Sequence, residues 1–167
     1  LRRGGDLEHV DRGATRNNRI LIGGADWARD ALDEVEAMRH ENLAEELAAL
    51  RLRKRRKELR DRMRAGLTDP WKASKGGPLR EVIITAHRDF FDPSGGVPDP
   101  RAILQASRVE GAFEARAVEW LRTRFGDDVV HARADHDETT YHVHAVIFPR
   151  AEKRSKRRGL QKTLQPS

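Results

Sequence analysis

A short stretch between Asp135 and His144 concentrates residues that could bind a metal ion. Two histidines, His142 and His144, flank a single valine, and the acids just upstream are Asp135, Asp137 and Glu138. Alternate side chains of a β-strand share one face, so the two imidazoles would lie on the same side, with backbones roughly 7 Å apart. Imidazole and carboxylate together suit manganese, iron, cobalt, nickel or zinc, and carboxylate with phosphate oxygens also admits magnesium.

A histidine–x–histidine pair alone is weak evidence for a metal site, because strand histidines are often exposed or hydrogen-bonded. Here the pair adjoins three acids on an apolar strand that has no structural use for them. We therefore expect His142 and His144, with Asp135 or Glu138, to bind one divalent ion, Mn²⁺ or Mg²⁺. The sequence has no cysteine, which excludes disulfides, thiolate nucleophiles and Cys-ligated zinc and fits a cytoplasmic protein.

Turn residues and apolar runs place this cluster on a β-hairpin. Residues 129–133 and 141–148 are β-branched and apolar, and the acidic turn 135–138 separates them. A helix over 109–125 precedes the hairpin, and strands are predicted at 81–87 and at 20–22. This order predicts an α/β (α+β) fold, an antiparallel sheet with helices packed on it and the hairpin at its centre.

A long charged helix is predicted between Asp26, a suitable N-cap, and Gly66, a suitable stop. Its second half, 51–64, is densely basic, as are the residues after Pro149. Such a segment is either a solvated helix face or a ridge that tracks DNA phosphates. We expect a core over residues 1–150 with a helical insertion at about 26–66, followed by a basic tail, 151–167, leading to a further C-terminal region.

The composition favours an anionic partner. The 33 Lys and Arg outnumber the 27 Asp and Glu, for a formal charge of +6, although many basic proteins bind no nucleic acid. No apolar run approaches the roughly 20 residues that span a bilayer, so no membrane segment is expected in this chain.

The run from Asp137 to Pro149, DETTYHVHAVIFP, resembles the third motif of the MobV (Mob/Pre) relaxases, the plasmid mobilisation and recombination proteins. That motif reads H-x-D-E-x-T-P-H-x-H, followed by apolar residues and proline. It contains the histidine–hydrophobe–histidine element that relaxases share with rolling-circle replication initiators. Residues 5–11 and 18–23 resemble the family's early region, so the resemblance covers most of the chain outside 26–77.

The resemblance implies a relaxase-like fold and a metal-dependent endonuclease that nicks and rejoins one DNA strand at a plasmid origin, through a covalent 5′-phosphoryl intermediate. Single-stranded origin DNA would be the partner, with a possible dimer through a further C-terminal region. Glu138 would be an outer ligand or would orient a ligating histidine. Two alternatives stay open: a DNA-binding domain without activity, and another metal-dependent phosphoesterase.

Two positions depart from the family motif. Its first histidine falls on Asp135, with His136 one place later, so either residue could be the third ligand. The proline before the histidine pair is Tyr141. Many relaxases use a tyrosine nucleophile, but Tyr141 adjoins His142 on a strand and should face away from the metal.

The resemblance instead implies a histidine nucleophile in an H-N-x-R motif whose last two positions align with Leu1 and Arg2. That histidine would align just before Leu1, with His9 as the fallback. We therefore expect Leu1–Ser167 alone to bind metal and DNA yet to form the covalent adduct poorly. Arg2 or Arg3 would bind the adjacent phosphate, and the other predicted DNA contacts are Asn18, Arg55, Arg56, Lys57, Arg154 and Arg157.

Overall fold

The structure is a computed structural model that describes residues 13–72, 77–91, 100–138 and 140–165. The chain divides into two compact units, Leu1–Gly24 with Glu81–Ile147 and Ala25–Arg80 with Phe148–Ser167. The helices are α1 (Trp27–Leu52), α2 (Arg56–Ala65), α3 (Arg88–Phe91) and α4 (Pro100–Phe125). The strands are β1 (Arg19–Ile22), β2 (Arg80–Thr85), β3 (Val129–Asp135), β4 (His142–Ile147), β5 (Arg150–Ser155) and β6 (Gly159–Leu164).

The first unit is built on a four-stranded sheet with the strand order β1-β3-β4-β2. Strand β3 pairs antiparallel with both β1 and β4. The predicted hairpin therefore exists and occupies the centre of the sheet, and the predicted α+β class is confirmed. Helix α4 begins well before Val109, where the helix was expected to start.

Side-chain alternation gives this sheet one apolar and one polar face. Residues of β3 and β4 on the apolar face are fully buried and pack with α4: Ala132, Ala134, Val143 and Ala145, against Ala117 and Leu121. The intervening residues of the two strands include the histidines and acids of the predicted metal site. The core thus fixes which face of the hairpin carries the polar residues.

Gly23 ends β1 at a point where only glycine fits. Its φ is +77°, in the left-handed region, and a Cβ at this position would lie 2.3 Å from the carbonyl oxygen of Val130. The close approach brings the end of β1 against β3, and this keeps β1 in register with the central hairpin.

The second unit contains α1, α2 and the β5–β6 hairpin. Asp26 occupies the N-cap position of α1 and Gly66 ends α2, as predicted. The prediction of one helix from 26 to 64 is wrong at its middle. The helix is interrupted at residues 53–55, where Lys54 has a φ of +57°. That left-handed residue turns the backbone, so α2 folds back into contact with α1 instead of continuing along its axis.

The segment after Pro149 is a β-hairpin, so the expectation of a basic tail is wrong for residues 150–164. Arg150 pairs with Leu164 and Ser155 pairs with Gly159. The buried side chain of Asn42 joins this hairpin to α1 with two 2.7 Å hydrogen bonds: its Nδ2 donates to the Lys162 carbonyl, and its Oδ1 accepts from the Lys162 amide.

None of the helices in the described parts of the chain combines the length and hydropathy that a bilayer-spanning segment needs.

Candidate metal centre

Three potential metal ligands converge where β3 and β4 meet the acidic turn. Asp135 and His142 are direct cross-strand partners, and Glu138 follows β3 in the turn. One ligand atom from each of the three residues lies within 4.8 Å of the other two. Asp135 and His142 are buried, whereas Glu138 is more exposed. The group therefore has a buried base and one open side.

Asp135 is the most deeply buried acid of the group, at 1% exposure. Its Oδ2 lies 3.5 Å from Nε2 of His142. Arg133, two residues earlier on the same face of β3, donates from Nε to Oδ1 and from Nη2 to Oδ2 at 3.1 Å. Arg133 therefore supplies two charge-assisted hydrogen bonds to this buried carboxylate.

The imidazole of His142 is oriented for ligation. Its Nδ1 lies 2.9 Å from the backbone carbonyl oxygen of Thr140. A carbonyl oxygen only accepts, so Nδ1 carries a proton, and Nε2, on the side of Asp135, is the nitrogen that can bind a metal ion. This is the arrangement in which a backbone carbonyl fixes the tautomer of a metal-binding histidine.

The donor set fits a divalent metal ion. Two carboxylates and one imidazole supply hard oxygen and borderline nitrogen donors, which suit manganese or magnesium. The paired positions on β3 and β4 hold Asp135 and His142 in place, whereas Glu138 lies in the turn and has more freedom to approach an ion.

His144 lies on the same face but outside this three-residue group. It pairs across the hairpin with Arg133, and its Nε2 lies 3.9 Å from Oε2 of Glu81 on β2. Among the described residues, that buried nitrogen has no hydrogen-bond partner. Its predicted role as a ligand therefore stays a prediction, with Glu81 as the nearest acid.

Of the two possible third ligands, the structure places Asp135, not His136, in the group. The ring of His136 stacks at 4.6 Å from the ring centre of Tyr141. Its backbone amide donates to Oδ1 of Asn18 at 2.7 Å. His136 follows the end of β3, and its ring packs with Tyr141 instead of joining the three-residue group. Asn18 is half-buried and holds the turn through that bond, and its predicted DNA contact stays a prediction.

His131, on the same strand face, is held neutral. Burial lowers the pKa of His131, and the nearby positive charge of Arg133 and the imidazole of His144 lower it further. A neutral imidazole beside the site adds no positive charge to oppose a bound cation.

The acidic turn is fastened to the residues before β1 by Asp137. The Thr15 hydroxyl donates to Oδ2 of Asp137 at 2.8 Å. Burial acts to raise the pKa of Asp137, but the nearby Asn18 amide, the hydrogen bonds from Thr15 and its own backbone, and the charge of Arg133 hold that pKa below its ordinary value. The folded protein therefore favours the ionised carboxylate.

We expect Asp137→Asn to destabilise the protein at neutral pH and to do so progressively less in acid. A carboxylate whose folded pKa is depressed stabilises the fold above its unfolded pKa of about 4, and this contribution is lost as pH falls through the folded value. Urea unfolding of parent and variant at a series of pH values measures the difference. A gap that stays constant or widens below about pH 4 would show that the charge of Asp137 does not stabilise the turn.

Tyr141 faces the core, as strand alternation predicts. Its ring packs 4.9 Å from that of Phe91, and its hydroxyl donates to the buried carboxylate of Glu114, which also binds Arg19. Burial and the adjacent Glu114 raise the pKa of Tyr141 far above its ordinary value. A buried, protonated phenol on the opposite face from Asp135 and His142 is poorly placed to attack a phosphate at the metal centre.

Three predicted site residues, Arg2, Arg3 and His9, lie outside the described residues. The predicted DNA contacts in the second unit are all exposed: Arg55, Arg56, Lys57, Arg154 and Arg157. The sequence reading missed Arg133 and the Thr140 carbonyl. Arg133 was detectable, because it lies two residues before Asp135 on a strand and so shares its face.

Comparisons with known proteins add no family assignment. No protein-family model matches the chain, and neither a curated protein nor a solved structure matches it.

Proposed function

We propose that this chain carries the metal centre of a DNA strand transferase, a relaxase that nicks and rejoins one strand at a plasmid origin of transfer. The observation that supports the proposal most is the group Asp135, Glu138 and His142 at the centre of an antiparallel sheet, inside the segment that resembles the relaxase histidine motif. The basic composition agrees with a nucleic-acid substrate.

Different residues of the chain would bind the metal ion, orient its ligand and contact the phosphate. Asp135, Glu138 and His142 would hold the ion, and the Thr140 carbonyl keeps Nε2 of His142 available for it. A divalent ion held there would supply Lewis-acid chemistry, offsetting the negative charge that develops on the phosphate oxygens in the transition state. The Arg133 side chain is 43% exposed beside Asp135, so its guanidinium can also reach a phosphate at the open side.

The covalent step needs a nucleophile that attacks phosphorus, forms a 5′-phosphoryl link to the protein and releases the 3′ oxygen of the cut strand as a hydroxyl. Tyr141 is unsuited, because it is buried against Glu114. The resemblance places the nucleophile on a histidine that aligns just before Leu1, with His9 as the fallback. Attack in the reverse direction by the retained 3′ hydroxyl would rejoin the strand.

The test is nicking of supercoiled plasmid and circular single-stranded DNA by the protein expressed from the start codon of its reading frame, with Mn²⁺. Denaturing electrophoresis detects the covalent adduct. We expect metal-dependent nicking with an adduct, and at least about a hundredfold loss in Asp135→Asn, because even residues that only support metal ligands cost 10–100-fold when lost. Lys72→Gln, an exposed change in the second unit, is the control and should nick like the parent.

Two results would replace the proposal by an alternative. Cleavage of bis(p-nitrophenyl) phosphate without DNA nicking would indicate a phosphoesterase of another kind. DNA binding without cleavage under any divalent metal would indicate a binding domain.

A further inference from the structure

In the second unit, the tertiary structure unites two basic segments that are distant in sequence. The Arg53 guanidinium, in the break between α1 and α2, donates to the carbonyl of Arg157 in the β5–β6 turn at 2.8 Å. Glu46 of α1 joins the same parts: its Oε2 accepts from Nε of Arg62 on α2 at 2.8 Å, and its Oε1 lies 3.5 Å from Nε of Arg158. We call the exposed face formed by residues 51–57 and 156–158 the junction surface.

Gly159 permits this close approach. Its φ is +71°, and a Cβ there would lie 2.7 Å from a carboxylate oxygen of Glu45 on α1. The amide of Leu160 donates to the same oxygen at 3.3 Å. The turn is therefore held against α1 by backbone and side-chain contacts, so its position relative to the helix break is defined.

Most cations of the junction surface are available to a partner. Arg55 pairs with Glu58, Arg158 pairs with Glu46, and Arg53 is bonded to backbone carbonyls. Within the described part of the chain, no acid forms an ion pair with the others, all of which are exposed: Arg51, Lys54, Arg56, Lys57, Lys156 and Arg157. So many like charges held together repel one another, and a polyanion would relieve that repulsion.

The surface has no aromatic ring on which a base could stack. The second unit contains three aromatic residues, Trp27, Trp71 and Phe148; the two tryptophans are half-buried and Phe148 is buried. Proteins that bind single-stranded nucleic acid combine a basic groove with exposed aromatic side chains. Cations without stacking partners instead favour a regular phosphate backbone, as in a duplex.

The junction surface is also a poor membrane anchor. Leu52, at 85% exposure, is its one apolar side chain among the described residues. Helices that lie in a bilayer interface present a continuous apolar face beside their basic one. Charge without that face favours DNA over an acidic lipid surface.

We propose that the junction surface binds the phosphate backbone of double-stranded DNA without sequence preference and without a metal ion. It shares a DNA partner with the proposed function but depends on neither the metal centre nor strand cutting.

The test measures binding of a fluorescent duplex of about 20 base pairs, in EDTA, across a salt series. With about five phosphates contacted, the logarithm of the affinity should fall with the logarithm of salt at a slope of roughly −4.5. The triple variant Lys54→Gly/Arg56→Gln/Arg157→Gln should reduce this slope by about 2.7 and weaken binding roughly five-hundredfold at about 0.1 M salt. Lys54→Gly suits this purpose because glycine accepts the positive φ at that position.

The matched control is Arg108→Gln/Arg122→Gln/Arg124→Gln, which removes the same charge from exposed positions of α4 in the first unit. It should keep the slope of the parent. An equal loss in both triple variants would mean that net charge alone attracts DNA, and tighter binding of a single strand than of the duplex would refute the duplex assignment. Binding to phosphatidylserine vesicles but not to DNA would show a lipid surface instead. Because EDTA removes divalent ions, loss of nicking and loss of duplex binding are separate results.

Discussion

Replacing His142 by alanine is expected to raise the dissociation constant for Mn²⁺ by at least about a hundredfold. His142 supplies the one nitrogen of the three-residue group, and its Nε2 lies 3.5 Å from Oδ2 of Asp135. Loss of residues that merely orient a metal ligand costs 10–100-fold in affinity, so loss of a ligand should cost more. Isothermal titration of Mn²⁺ into parent and variant measures the change.

Two further variants test whether Mn²⁺ binds at the three-residue group. His144→Ala should weaken Mn²⁺ binding much less than His142→Ala, because His144 faces Glu81 and lies outside the group. Arg133→Gln should have the opposite sign and tighten binding, since Arg133 occupies both oxygens of Asp135 and repels a cation there. If the double variant His142→Ala/His144→Ala binds Mn²⁺ as tightly as the parent, the metal site lies elsewhere in the chain.

Replacing Asn42 by leucine is expected to lower the free energy of unfolding by about 2–5 kcal/mol. Leucine has a similar volume but can neither accept from the Lys162 amide nor donate to its carbonyl, so both backbone groups lose their partner on α1. Each buried polar group left without a partner costs about 1–3 kcal/mol. Urea denaturation followed by far-ultraviolet circular dichroism measures the loss.

The control for Asn42 is Lys162→Gln, which removes the exposed ion pair between Lys162 and Glu41 at the same point of β6. Exposed pairs contribute about 0–1 kcal/mol, so this variant should unfold close to the parent. Equal stability of Asn42→Leu and Lys162→Gln would show that the buried amide does not fasten the hairpin to α1. A destabilised Asn42→Leu that still binds duplex DNA like the parent would show that the junction surface does not need this fastening.

Local patterns in the sequence predict much of the first unit. The alternation of His142, Val143 and His144 predicts a strand with both histidines on one face, because side-chain direction in a strand depends only on position along it. The same rule predicts that Tyr141 faces the other way, and the structure confirms this by packing Tyr141 with Phe91. The acidic turn between two apolar runs likewise predicts the hairpin.

The register between β3 and β4 determines which residue, Asp135 or His136, joins His142 as a potential metal ligand. Asp135 and His136 are adjacent in sequence and both can bind a metal ion, so composition and spacing leave the choice open. The antiparallel pairing of β3 with β4 places Asp135 opposite His142, which turns His136 toward Tyr141. Register depends on hydrogen bonds and core packing along both strands, and a single segment does not contain that information.

By itself, the sequence therefore determined the α+β class, the central hairpin and the face that carries the histidines, because each follows from short-range periodicity. Only the tertiary structure decided that Arg133 binds Asp135, that residues 150–164 form a hairpin, and that Arg157 lies beside Arg53. Two of these features join residues on different strands or elements. The third, the contact of Arg133 with Asp135, depends on the side-chain conformation of Arg133. Their geometry is set when the core packs and buried polar groups such as Asn42 find their partners.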